Sequence, residues 1–354
     1  MPRNRSSDLS PFDRVRSAIE LRETDRVPVV PEITYTCGRL VHLKFSEALK
    51  SAEKMAKALV TGYKEFGYDG IYAGWEGSFT VTAEAMGSKL KIPDDGIPSV
   101  DGALVNQETD LDKIRIPDPK RDGRLPLHLQ SIKLIRESVG DKVPIFSYVP
   151  GPLTLSGLLR KTDVLMLDLI RNPKMVHSMN RLTMEASKAF ALAKIESGAD
   201  VIVVADPSAS TTMISPKMFE GYSLPYLKEI LNQISKAGAI PSLHICGQTT
   251  PILEGMVESG AKILELDSQV NLKEAKHRVG AKICIQGNVN PTGILMQGSV
   301  DDVIREARRC IEDAAKGGGF ILSSGCEVPY EAKIANIKSL VEAALKFGKY
   351  GSIH

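Results

Sequence analysis

The stretch Ser242-Leu243-His244-Ile245-Cys246-Gly247 is typical of a short strand that ends at chemically reactive residues. Residues 247–251, Gly-Gln-Thr-Thr-Pro, follow it with the residue types of a turn and a helix start. Because side chains alternate across a strand, His244 and Cys246 point to the same face. Two side chains that can bind a metal, at one strand end, predict a functional site at this edge of a sheet.

Apolar runs of the same kind recur along the chain and alternate with helical patterns. They lie at residues 26–33, 69–73, 143–148, 200–205, 240–246, 262–266, 282–286 and 319–322. Helical patterns such as residues 216–236, 250–259 and 300–316 separate them, and several helices end in a glycine suited to a C-cap. The alternation predicts an α/β protein with a parallel sheet, and eight such units favour a closed (β/α)8 TIM barrel over a doubly wound open sheet.

The length of 354 residues suits one such barrel with additions. We expect residues 1–354 to form a single domain, with an N-terminal helical extension over about residues 1–24 that includes a helix at residues 11–21. Clusters of Pro, Gly and Asp break the rhythm between about residues 78 and 124. We therefore expect an insertion after the second strand, covering one end of the fold.

Composition narrows the class of protein. The chain has 45 Lys and Arg against 43 Asp and Glu, without a basic stripe, so nucleic acid is not an expected partner. No apolar run is long enough for a membrane span and no signal peptide is visible, so we expect a soluble, cytoplasmic protein. Five cysteines in such a protein favour free thiols or metal ligation over disulfides.

Polar residues recur at the predicted strand ends, where a barrel carries its chemistry. In chain order they are Glu32, Glu76, Tyr148, Asp206, His244, Cys246, Asp267, Gln286, Asn288 and Cys326. His244, Cys246 and Cys326 form a ligand set that zinc accepts, with a fourth position open to substrate. The alternative is a core histidine beside small buried thiols.

The remaining cysteines and two carboxylates are also assigned. Cys284 and Cys310 are expected to be packing residues, and Cys37, near the first strand end, is an outside candidate for the site. A zinc ion with two thiolates is suited to holding an incoming thiol as a nucleophile that takes up a methyl group. Asp267 either occupies or supports the fourth position, or caps the next helix; Asp206 either lines the site or caps a turn.

The chain resembles the uroporphyrinogen decarboxylase superfamily, and within it the cobalamin-dependent branch of methylcobamide:coenzyme M type methyltransferases. The resemblance runs from about Phe12 to Gly348. It is carried by Gly151-Pro152-Leu153-Thr154, by residues 205–210 (Ala-Asp-Pro-Ser-Ala-Ser), by His244-Ile245-Cys246-Gly247, by residues 286–291 (Gln-Gly-Asn-Val-Asn-Pro) and by residues 324–329 (Ser-Gly-Cys-Glu-Val-Pro). The His-x-Cys pair with a distant Cys is specific to the zinc-dependent methyltransferases of the superfamily.

The resemblance implies a (β/α)8 barrel whose zinc, on His244, Cys246 and Cys326, activates a thiol such as coenzyme M. The methyl group would come from methylcobalamin, usually carried by a small corrinoid protein that docks on the barrel mouth. Asp206 and Asp267 are then the candidate catalytic residues. The candidates for cofactor binding are Tyr148, Gly151 and Asn288.

Two alternatives remain within the resemblance. The decarboxylase branch holds its substrate's carboxylates with an Arg-Gln-Ala-Gly-Arg segment, of which this chain keeps only Gly38-Arg39. The same scaffold also serves relatives with a folate acceptor. Coenzyme M carries a sulfonate, for which Arg39 is the only cation that the pattern places at a strand end.

Overall fold

The computed structural model of the chain describes residues 9–93 and 96–353. Parts of two predicted segments lie outside the described residues. They are residues 1–8 of the N-terminal extension and Asp94 and Asp95 of the insertion. His354 also lies outside the described residues.

Short strands, well separated in the chain, form the framework. They are β1 Ile71–Ala73, β2 Leu90–Lys91, β3 Ser99–Val100, β4 Ile145–Pro150, β5 Val201–Ala205, β6 Ile240–Ile245, β7 Ile263–Leu266, β8 Cys284–Val289 and β9 Phe320–Ser324. Within the described residues, seven of them form a curled parallel sheet in the order β1-β4-β5-β6-β7-β8-β9. The pair β2 and β3 is antiparallel and lies between β1 and β4 in the chain.

Helices connect the strands of the sheet. They are α1 Pro11–Ile19, α2 Phe45–Ala48, α3 Ala52–Phe66, α4 Phe79–Ala85, α5 Leu125–Val139, α6 Pro152–Arg160, α7 Thr162–Arg171, α8 Pro173–Glu196, α9 Pro216–Met218, α10 Leu224–Lys236, α11 Leu253–Glu258, α12 Leu272–Val279, α13 Val300–Ala314 and α14 Ile334–Phe347. Local signals set their ends. The Ser51 hydroxyl caps α3 by accepting a bond from the Lys54 amide, and Gly67 ends that helix at φ +74°.

The predicted count of eight strands is one too high. The first apolar run, residues 26–33, is not a strand, whereas the other seven runs are. Pro28 and Pro31 remove two backbone N–H donors from this run, so a continuous hydrogen-bond ladder cannot form. Only isolated bridges remain, of which one joins Val29 to Leu322 in parallel.

Residues 26–30, which we call the seam segment, are nevertheless hydrogen-bonded to the edge strand β9 and to Asp69, just before the other edge strand, β1. The Val30 amide donates to the Leu322 carbonyl of β9 at 2.9 Å. The Asp69 amide, just before β1, donates to the Val29 carbonyl at 2.6 Å. A buried ion cluster fixes the segment further, since the Asp69 carboxylate accepts bonds from Arg14 and Arg26 at 2.7–2.9 Å.

The core has two layers because both faces of the parallel sheet are buried. One cluster includes Tyr72, Phe146, Val203 and Ile321. Residues that alternate with these in the strands pack against the helices in a second, larger cluster. None of the helices in the described part of the chain combines the length and the apolarity needed to cross a membrane.

Candidate functional site

A cavity of about 200 Å³ lies at the carboxyl ends of the sheet strands. It is lined by Glu32, Tyr35, Glu76, Gly77, Phe79, Ile97, Tyr148, Ala205, Pro207, His244, Cys246, Cys326 and Glu327. A second cavity of about 440 Å³ adjoins it and shares Tyr35, Ile97 and Glu327. The position matches the face at which parallel α/β folds place their sites.

His244, Cys246 and Cys326 converge at this cavity. The Nε2 atom of His244 lies 3.0 Å from Sγ of Cys246, and the two sulfur atoms are 3.7 Å apart. Their candidate ligand atoms all lie within 4.8 Å of one another. Two thiolates on a tetrahedral zinc ion, at Zn–S distances of about 2.3 Å, are separated by about 3.8 Å. The spacing of the sulfur atoms therefore suits a shared metal ion and is too long for a disulfide.

Strand β6 explains why His244 and Cys246 meet Cys326. His244 is the second-last residue of β6, and Cys246 directly follows the strand. Because they are two residues apart, both side chains face the cavity. Gly247 then takes φ +78°, where a side chain would be strained and its Cβ would lie 2.9 Å from the Ser210 hydroxyl. The chain can thus turn sharply just behind Cys246.

A buried carboxylate faces the other nitrogen of His244. Oε1 of Glu32 lies 3.6 Å from Nδ1, an atom that has no hydrogen-bond partner among the described residues. The Tyr148 hydroxyl donates to the other oxygen of Glu32 at 2.7 Å and holds the carboxylate in place. Burial alone lowers the pKa of His244, but the charge of Glu32 and the neighbouring Cys326 outweigh it and raise the pKa to about 10. Glu32 is thus placed to orient the imidazole so that Nε2 faces the thiol of Cys246.

Glu265 adds a second carboxylate beside His244. It lies in β7, accepts a bond from the Ser242 hydroxyl at 2.7 Å, and belongs with Glu32 and His244 to a group of close ligand atoms. Burial, followed by the charge of Glu32, raises its pKa to about 8. The sequence interpretation passed over Glu265, although an acidic residue between Leu264 and Leu266 in a buried strand is a signal that could have found it.

The contact between Glu32 and His244 gives a testable prediction. Glu32→Gln should weaken metal affinity about 10- to 100-fold, because it removes the charge that orients and polarises the histidine. Competition with a chelating indicator measures this change. The control is Glu331→Gln, which changes an exposed acidic residue in the lining of the second cavity. It should leave the metal affinity unchanged. If the Glu32 variant and the unmodified protein bound metal with equal affinity, Glu32 would not act on His244.

Asp206 and Gly151 lie outside the cavity lining. The Asp206 carboxylate is fully buried and accepts bonds from the Thr154 amide at 2.7 Å and the Ser223 hydroxyl at 2.8 Å. A Cβ on Gly151 would lie 2.2 Å from Cβ of Asp206, so only glycine fits. This pair fixes the start of α6, and neither residue is among those that line the cavity. Of the cofactor-binding candidates, Tyr148 alone lines the cavity.

Asp267 and Asn288 support the loop that follows Cys246. The Asp267 carboxylate accepts bonds from the amides of Gly247 at 2.8 Å and Gln269 at 2.9 Å. The side-chain amide of Asn288 donates to the Asp267 carbonyl at 2.9 Å. Asn271, not Asp267, caps the following helix, so the capping alternative for Asp267 is wrong. Asp267 acts on the turn behind Cys246.

The other three cysteines are buried away from the ligand cluster. Cys284 lies in β8, Cys310 lies in α13, and Sγ of Cys37 lies 3.9 Å from the Tyr68 hydroxyl. Burial raises the pKa of Cys37 and of Cys284 to about 12, so both stay protonated.

Glu327 is the main cavity residue that the sequence interpretation missed. Its Oε1 accepts bonds from the amide and hydroxyl of Thr34.

Known proteins match this chain over nearly its whole length. The sequence profile of the uroporphyrinogen decarboxylase (URO-D) family covers residues 10–347. The chain belongs to the uroporphyrinogen decarboxylase family. Methylcobamide:CoM methyltransferase MtbA of Methanosarcina acetivorans is 30% identical over 345 residues, which are 96% of this chain and 99% of that protein.

Two further proteins show the breadth of the likeness. A uroporphyrinogen decarboxylase of Anaeromyxobacter dehalogenans is 27% identical over 317 residues, covering 86% of this chain and 88% of that protein. Among solved structures, a methyltransferase from Methanosarcina mazei superposes with a TM-score of 0.88 at 29% identity, covering 96% of this chain and 99% of that one.

Proposed function

We propose that this protein is a zinc-dependent methyltransferase that moves a methyl group from a methylated corrinoid to a thiol. The observation that carries the proposal is the convergence of His244, Cys246 and Cys326 at a cavity mouth, with spacing that suits a metal ion. The similarity to methylcobamide:CoM methyltransferases over 96% of the chain supports the same reaction class.

The residues of the chain divide the work as follows. His244, Cys246 and Cys326 would hold the zinc, which would supply the positive charge that keeps a thiol deprotonated at neutral pH. Glu32 and Tyr148 orient His244, and Asp267 fixes the turn behind Cys246. Phe79 and Pro207 give the cavity apolar walls, which would limit the access of water to the reacting sulfur.

The methyl transfer is a displacement at carbon. The thiol sulfur attacks the methyl carbon, a C–S bond forms, and the Co–C bond breaks with its electron pair left on cobalt. The proton of the thiol leaves to solvent. We propose that a small corrinoid-carrying protein presents the methyl group at the cavity mouth, where Phe79 and the half-exposed Ile97 offer apolar contact.

Two alternatives belong to the same family. A decarboxylase acting on a tetrapyrrole with eight carboxylates needs a large basic cleft, whereas the cavity at the ligand cluster measures about 200 Å³ and no Lys or Arg lines it among the described residues. A folate acceptor in place of a thiol is the second alternative, and the assay below includes it.

Metal analysis together with a methylcobalamin assay tests the proposal. The purified protein should carry one equivalent of zinc and should demethylate methylcobalamin, followed by absorbance, when a thiol is added. Tetrahydrofolate in place of the thiol serves as the comparison acceptor. A protein without bound metal and without turnover would contradict the proposal, and turnover with tetrahydrofolate alone would replace the thiol by a folate.

We also infer that the chain forms one closed (β/α)8 barrel domain, with the segment of residues 78–124 as an insertion. The seam segment supports this inference because it is hydrogen-bonded to β9 on one side and to Asp69, before β1, on the other. It would take the place of the eighth strand.

A further inference from the structure

The charged groups around the cavity are unevenly distributed by sign. Three carboxylates line the cavity at the ligand cluster: Glu32, Glu76 and Glu327. Glu331 adds a fourth on the wall of the adjoining cavity. Within the described parts of the chain, neither lining contains a lysine or an arginine. A ligand in this space therefore meets carboxyl groups and no cationic side chain of the described residues.

The cations behind these walls have protein partners, although Nη2 of Arg124 is buried and has none among the described residues. Arg39, the one predicted to meet an anionic acceptor, donates instead to the carbonyls of Tyr330 at 2.8 Å and Ala332 at 2.6 Å. Lys194 is fully buried and donates to the Ser78 hydroxyl at 2.8 Å. Arg124 is held between Glu76 at 2.9 Å and Glu84 at 2.7 Å.

Glu76 is the feature that points to a ligand. Its side chain is buried, and Oε1 pairs with Arg124, but Oε2 has no hydrogen-bond partner among the described residues. The residue lines the cavity and sits at φ +51°, a conformation that is costly for any residue with a side chain. A buried acceptor without a donor is itself unfavourable, and a ligand that donates a hydrogen bond would satisfy it.

From this distribution we infer that the acceptor thiol carries a neutral or positively charged donor group, such as a hydroxyl or an ammonium, and not an anion. The inference rests on the proposed function and narrows its substrate class. Recognition of a sulfonate or carboxylate relies on arginine or lysine, because an anion brought beside carboxyl groups loses its hydration and gains no cationic partner in return. The acceptor would thus differ in charge from the coenzyme M named in the relatives.

Three thiols of similar size and different charge test the inference. They are 2-aminoethanethiol, 2-mercaptoethanol and coenzyme M, which end in an ammonium, a hydroxyl and a sulfonate. The zinc-loaded protein is titrated with each by calorimetry and assayed with methylcobalamin, and each rate is divided by the rate without protein to remove differences in thiol reactivity. We expect coenzyme M to bind and react at least about tenfold less well than the other two. Equal or better performance of coenzyme M would overturn the inference.

A variant of Glu76 sharpens the test. Glu76→Gln keeps an acceptor for Arg124 but leaves the guanidinium less neutralised beside the cavity, so it should shift the preference towards coenzyme M by about tenfold. Glu342→Gln removes the same charge from an exposed position in α14 and should leave the preference unchanged. An unchanged preference in a folded Glu76 variant would contradict the role of Glu76, and if that variant does not fold, the thiol series on the unmodified protein still decides.

The result separates this inference from the proposed function. Thiol binding without methyl transfer would refute the methyltransferase, while the order of the three affinities would still decide the charge of the ligand. Methyl transfer with a preference for coenzyme M would support the methyltransferase and overturn the charge inference alone. Failure of all three thiols to bind would overturn both.

Discussion

Replacing Cys246 with alanine should abolish metal binding and thiol methylation while the protein remains folded. The change removes one of the three proposed ligands, and His244 and Cys326 alone should not hold the ion. Loss of a supporting residue near a metal typically costs 10- to 100-fold, so the loss of a ligand should cost more than about 100-fold in affinity. Metal content after gel filtration and methylcobalamin turnover measure the two effects.

Cys284→Ala is the matched control for this experiment. It makes the same chemical change in β8, where the thiol is fully buried away from the cavity. The control should retain one equivalent of metal and normal turnover and lose only about 1–2 kcal/mol of stability from the small void. Full metal content in the Cys246 variant would place the metal elsewhere and refute the proposed site.

Asp69→Ala should destabilise the fold by about 3–5 kcal/mol, the effect of removing one partner from a buried ion pair. The Asp69 carboxylate is the shared acceptor for Arg14 and Arg26, and it also accepts a bond from the Val29 amide at 2.8 Å. Without this carboxylate, the largely buried guanidinium groups of Arg14 and Arg26 lose a negatively charged partner. The free energy of unfolding in urea measures the loss.

Glu65→Ala serves as the control for the Asp69 variant. Glu65 pairs with Lys338 between two helices, but both side chains are at least 40% exposed, so the pair should contribute under about 1 kcal/mol. If both variants lost the same free energy, the buried cluster would not hold the seam segment to the sheet.

The sequence predicted most of the sheet because buried parallel strands are visible in a sequence as short apolar runs between helical patterns. Seven of the eight runs are strands, including the one that carries His244. The prediction was wrong for the run at residues 26–33. Its apolar side chains fit a strand, but its two prolines lack the backbone N–H donors that a strand needs. Side-chain pattern and backbone donor supply are separate requirements, and the prediction weighed only the first.

The convergence of the ligands was predictable and their support was not. His244, Cys246 and Cys326 each follow or end a strand, so the topology alone brings them to one edge of the sheet. The roles of Asp206 and Asp267 depended on where their carboxylates point, and both turn towards backbone amides behind the cavity. Glu265 escaped notice because it lies within a strand, where the prediction expected only core residues.

The contacts that join the two ends of the chain also set the order in which this protein can be completed on the ribosome. The amide of Glu32 donates to the Ser324 hydroxyl, and the amide of Thr34 donates to the Glu327 carboxylate, across separations of 292 and 293 residues. Glu32 is therefore synthesised early, whereas its partner Ser324 and the nearby Cys326 are synthesised about 290 residues later. Contacts so distant in sequence form late, after their loop-closure entropy has been overcome. A nascent chain that stops short of Cys326 would lack both the third proposed metal ligand and Glu327, which accepts the bond from the Thr34 amide.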